Sequence, residues 1–152
     1  MIQRDYIERM IQQVAQALAM MLRLRNQGEL GEALRSAQET EALVLGPEHQ
    51  LLARMEATTL VELIGRSEVG RVRLYAALVA EEGATYEMAG DGERAVRRFV
   101  RALELFAAAS LAGARLDEGD RERIAGLAGK VDVAGLDPRY RDVVSRLAAP
   151  ER

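Results

Sequence analysis

The sequence predicts an all-α fold, and three observations predict it. Apolar residues recur at i, i+3, i+4 and i+7 over long stretches. Capping residues and glycine or proline stops divide those stretches cleanly. Nowhere do β-branched residues alternate with polar ones over the length of a strand. Composition agrees: 49% of the 152 residues are hydrophobic but only 4% aromatic, so the core must be mostly Leu, Ala, Val and Met. Ala and Leu are strong helix formers, and small Ala side chains let helices approach closely. A chain of this length buries roughly two thirds of its unfolded surface, and a single domain spanning 1–152 is expected, with about seven helices in antiparallel hairpins.

The first helix, 2–27, sets Ile7, Met10, Val14, Ala17, Met21 and Leu24 on one stripe and Ile11, Ala15, Leu18 and Leu22 on a second beside it. Asn26-Gln27-Gly28 ends it, and a second helix runs from about Glu29 to Leu45. Gly46-Pro47 stops that helix and opens the next, because the N–H that proline lacks has no partner in a first turn. The third carries Leu51, Leu52, Met55, Leu60, Leu63 and Ile64 as one helix to Gly65. Ser67 is a candidate N-cap for a fourth, which passes through Leu74, Leu78 and Val79 to about Met88. Asp91 caps a fifth that runs to about Leu111 and stops at Gly113. The C-terminal region, 117–149, holds a shorter sixth helix after Asp117 or Asp120, fraying at Gly126 and Gly129. It then holds a last one to Ala148, started by the cap-and-proline pair Asp137-Pro138.

Composition also excludes functions. There is no cysteine, which removes disulfides, thiol catalysis and Cys-ligated metals together. A net charge of −3 and a pI of about 5.4 disfavour a general nucleic-acid binder, which needs a concentrated basic surface. The apolar stretch "VAQALAMMLRLR" is not read as a signal peptide, because Asp5 and Glu8 precede it, Arg23 and Arg25 interrupt it, and no small-residue cleavage site follows. No run reaches the roughly 18 uncharged apolar residues of a membrane span. A cytoplasmic protein with no nucleic-acid and no membrane partner is the expectation.

The stretch "GATYEMAGDGERAVRRFVRALEL" is more specific. Gly83 and Tyr86 precede Ala95 and Phe99 at offsets that place Gly83 and Ala95 where two helices cross closely, with Tyr86 and Phe99 in the wedges beside the crossing. Gly90-Asp91-Gly92 makes the turn between them. This unit, about 76–109, resembles a tetratricopeptide repeat. It departs from the pattern at Val79, Glu82 and Ala107, where an aromatic, a Leu and a Pro are usual. A fainter unit, "RNQGELGEALRSAQETEALVLGP", supplies Ala33 but has Ala37 where bulk is usual and Met21 for the crossing Gly. Ala33 and Ala95 lie too far apart for a regular array of about 34 residues. The resemblance implies a right-handed helical array or bundle. The opening "MIQRDYIERMIQQVAQAL" resembles that of a family of bacterial proteins beginning Met-x-x-Arg-Asp-Tyr-Ile-x-Arg, which implies a bacterial origin and brings no activity with it.

Catalysis finds little support. His49, in "GPEHQLL", is the single histidine and reads as an exposed first-turn residue beside Glu48; Thr58 and Thr59 are the nearby hydroxyls. No paired Glu-x-x-His motif offers a metal centre, and Gly90-Asp-Gly lacks the Lys-Ser/Thr of a phosphate loop. No catalytic, cofactor-binding or metal-ligating residue is assigned, and no cofactor is expected. Arg94, Arg97, Arg98 and Arg101 share one helix face. They form either a clamp for an acidic or phosphorylated group or a solvated face neutralised by Glu87, Glu93 or Glu104.

Two further surfaces follow from the first helix and the repeat-like unit. Both apolar stripes of the first helix call for burial, so it is either central or one half of a homodimer interface through Tyr6, Met10, Val14, Ala17 and Met21. Arg4–Glu8 and Asp5–Arg9 are candidate i,i+4 pairs on it, worth about 0.3–0.5 kcal/mol each. The resemblance implies a concave groove lined by Leu18, Leu22 and Arg25 and by Ala77, Ala80, Ala84 and Glu87, suited to an apolar protein or peptide segment. The expected function is a non-catalytic protein-interaction module, self-associating as a homodimer. The alternatives are a purely structural homo-oligomer and a binder of a small acidic or phosphorylated ligand at the arginine stripe.

Overall fold

A computed structural model of the chain describes residues 2–150, with side chains from Asp5 to Pro150. It is all-helical. Among the described residues there are eight α-helices: α1 Ile2–Asn26, α2 Leu30–Leu45, α3 His49–Leu52, α4 Ala57–Ile64, α5 Val69–Met88, α6 Gly92–Leu111, α7 Glu118–Ala128 and α8 Pro138–Ala148. Single 3-10 turns sit at Arg66–Glu68 and Val133–Gly135.

The expected third helix is two. The chain leaves helical geometry at Glu56, whose φ of −59° and ψ of 149° are extended and whose carboxylate accepts from the Thr58 N–H at 2.9 Å, starting α4. The same carboxylate accepts from the Tyr140 hydroxyl of α8, so a long-range contact fixes the break. Ser67 is no N-cap: it lies inside a 3-10 turn, and α5 begins at Val69. Asp91, Asp117 and Asp137 cap α6, α7 and α8 as their sequence context predicts, Asp117 in a reciprocal capping box with Asp120.

The core is organised around α5, which packs along α6 and also meets α1, α2, α4 and α7. Leu74 to Ala80 are buried without a break, so this helix has almost no solvent face. Gly90, at φ 81°, lets the chain reverse into α6. The two helices approach closely at Gly83, where an added Cβ would lie 2.6 Å from Cδ1 and Cε1 of the buried Phe99 ring. α1 packs on α2 and α5, α4 on α6, and α8 on α6 and α7.

α1 is therefore not central. Met10, Val14, Ala17 and Met21 are buried against the rest of their own chain, each burial of this kind contributing about 1.5–3 kcal/mol for the larger side chains. They cannot form a dimer surface while the monomer is intact, which corrects that expectation. Of those five residues Tyr6 alone is exposed. The second stripe faces outward instead: Ile11 is 39% and Leu22 51% exposed, with Met20 beside them. Arg9 Nε donates to the Asp5 carbonyl at 3.4 Å rather than to its carboxylate, and the Arg4–Glu8 pair lies outside the described side chains. No helix among the described residues is long and apolar enough to cross a membrane.

Candidate functional site

The helical period places the two faces of α6 in opposite surroundings. Ala95, Phe99, Ala102, Leu103 and Phe106 turn inward, which leaves Arg94, Arg97, Arg98 and Arg101 along the outer flank. The structure adds a fifth guanidinium, because the turn after α3 brings Ala53 and Arg54 against that flank. Together with Tyr86 these residues line a surface cleft of about 450 Å³.

The five arginines are not neutralised alike. Arg94 reaches the helix cap Asp91 at 3.5 Å and stacks 5.8 Å from the Tyr86 ring centre. Arg97 pairs with Glu93, both side chains well exposed, so that pair contributes little. Arg101 donates to the Ala53 carbonyl at 3.3 Å and lies over the Tyr75 ring at 6.0 Å, which ties the α3–α4 connection to α6. Among the described residues Arg54, Arg98 and Arg101 make no ion pair. Cationic planes held in one wall with open donors suit a phosphate or carboxylate, which guanidinium binds through two parallel hydrogen bonds.

Behind Arg98 lies an acidic pair. Glu41 of α2 and Glu82 of α5 are hydrogen-bonded to each other, and Glu82 is only 2% exposed. Burial pushes the Glu41 carboxyl up to about 10, helped by the hydrogen bond and the charge of Glu82 and opposed by Arg98 and Arg101. Burial also raises Tyr75, with the Glu41 charge as a second cause. His49, half-buried at the start of α3, lines the same surface recess as Glu41 and Glu82.

The groove expected along α5 is not open. Arg73, Ala77, Ala80, Glu81, Ala84 and Glu87 recur on one face of α5, and the C-terminal segment of the same chain covers it. Arg73 pairs with Asp120 at 2.7 Å and Asp117 at 3.2 Å. Arg123 meets Glu81 at 3.4 Å, and Lys130 meets Glu87 at 2.6 Å. Ala77 and Ala80 are buried and Ala84 half-buried. Arg25 is 8% exposed and bound to Glu81 at 2.8 Å, which leaves it no freedom to orient a partner. Leu22 is exposed on the outer side of α1, and Leu18 is half-buried against the core.

Sequence reasoning thus identified four members of the arginine cleft and missed Arg54, Tyr86 and the acidic pair behind it. One signal was present: Glu82 interrupts an otherwise apolar run at a position where the repeat pattern has Leu. Among the described residues no group of three or more His, Asp or Glu side chains is placed to hold a metal ion. No protein-family model matches the chain, and neither the curated proteins nor the solved structures contain a match to it.

Proposed function

We propose that this protein is a non-catalytic binding protein whose site is the arginine cleft, and that its ligand carries a phosphate or carboxylate group. One observation carries the reading: in a chain of net charge −3, five guanidinium groups converge on one cleft and, among the described residues, only Arg94 and Arg97 are ion-paired to a carboxylate. A purely solvated charged face needs no such convergence from two separate elements. Ethyl phosphate titrated into the protein by calorimetry tests the idea. Binding is expected in the wild type and loss of binding in Arg97→Glu/Arg98→Glu, with unchanged helicity by circular dichroism; equal binding by the double variant would sink the assignment.

A protein-interaction role is favoured by a different observation, the uncovered apolar side of α1 with Tyr6, Ile11, Met20 and Leu22 exposed. On this second reading the chain self-associates through that side rather than through the buried stripe. Light scattering decides it: a dimer mass that falls to a monomer in Ile11→Asp/Leu22→Asp supports it, and a monomeric wild type removes it. The Gly83–Phe99 approach supports the tetratricopeptide-like character of the α5–α6 hairpin. The N-terminal resemblance supports a bacterial origin.

A further inference from the structure

A second, smaller cavity of about 270 Å³ adjoins the arginine cleft and shares Ala53 and Arg98 with it. Its floor is the Glu41–Glu82 pair. Glu82 is almost wholly buried, and its Oε1 is reached by no N–H or hydroxyl of the protein. The charged and titratable groups that face the pair are His49 from α3, Tyr75 from α5, and Arg98 and Arg101 from α6. None of them donates to Glu82. A buried carboxylate oxygen needs a donor, and two touching carboxyl groups do not both ionise cheaply. The pair therefore keeps a proton, which Glu41 holds with its carboxyl pushed up to about 10. Without a ligand, no other donor among the described residues is hydrogen-bonded to Glu82 Oε1.

An ammonium group is the chemical equivalent of that proton, with more donors to offer. We infer that the Glu41–Glu82 pair is the cation end of the ligand site and that the ligand is an anionic amine. Its phosphate or carboxylate lies in the arginine cleft, and its primary ammonium sits between the two carboxylates. The inference rests on the arginine-cleft reading. Charge and protons balance in one exchange: the ammonium enters, Glu41 ionises, and one proton leaves to solvent.

The exchange fixes the sign of the pH dependence. Because a proton is released, affinity for the amine rises with pH, by up to roughly tenfold per unit while the ammonium itself stays charged. An anion without an amine shows no such rise once its phosphate is fully ionised, well above its second pKa of about 6.

Phosphoethanolamine and ethyl phosphate differ in the ammonium alone, and calorimetric titration of both between about pH 7.5 and 9 tests the inference. The expected result is an affinity ratio that favours phosphoethanolamine and grows with pH, with proton release seen as a dependence of the heat on buffer. Glu82→Gln should bring the ratio to about one. If that variant fails to fold, the wild-type pH series decides alone. A ratio of one at every pH overturns the inference while ethyl phosphate binding upholds the arginine cleft; binding of neither ligand overturns both.

Discussion

Position 83 has room for hydrogen and nothing larger. A Cβ there would press on the Phe99 ring, which is 2% exposed and cannot swing away without moving α6. Gly83→Ala gains about 1 kcal/mol of helix propensity, yet overpacking costs typically 1–3 kcal/mol and should win. The denaturation midpoint is expected to fall at unchanged slope and to recover in part when Phe99→Leu is added; full stability of the single variant would show that the helices are spaced by other contacts. Glu41 makes the opposite case. Its raised pKa means that the folded chain binds more protons than the unfolded one between about 4.5 and 10, so stability falls as pH rises through that window. Glu41→Gln is expected to be the more stable protein at pH 8, with a flatter profile in chemical denaturation at a series of pH values. Four cleft arginines were legible because one helix carries them at a spacing the sequence states directly. Arg54, Glu41 and Glu82 were not, because three separate elements bring them there.

Elements were legible wherever a local signal ended them. Asp91, Asp117 and Asp137 mark helix starts through bonds to amides two or three residues on, and such caps need no tertiary knowledge. The α3–α4 break was hidden because Glu is not a favoured cap and because Tyr140, 84 residues away, holds it. The α1 helix was read as two buried stripes since periodicity gives the faces but not how many are covered. A paired measurement checks the assignment made by the structure. Met21→Ala should cost about 2–5 kcal/mol as a core deletion, whereas Leu22→Ala should stay within about 0.5 kcal/mol in the monomer. The α5–α7 contact has its own test. Arg73→Ala leaves the buried Asp120 with the Asp117 amide but no guanidinium, which should cost about 1–3 kcal/mol. Arg97→Ala, removing an exposed pair, should cost about 0–1 kcal/mol.

On the scale of the whole molecule, the C-terminal segment changes what the fold offers. It covers one face of α5 with ion pairs at Arg73, Glu81 and Glu87, while the outer flank of α6 stays open as a polar concavity. If an anion binds there, it should raise the melting temperature by an amount that grows with the logarithm of its concentration, and the gain should shrink with added salt because open guanidiniums are screened over about 10 Å at 0.1 M. A salt-independent shift would place the anion in a closed pocket instead. The positive wall on an acidic chain has one more consequence, for kinetics rather than affinity. A cluster of five guanidiniums on one side of a chain of net charge −3 attracts an approaching anion to that side, which favours encounters already aligned with the cleft. Capture would then be fast in dilute buffer and slow in brine, even where the final complex is equally well made.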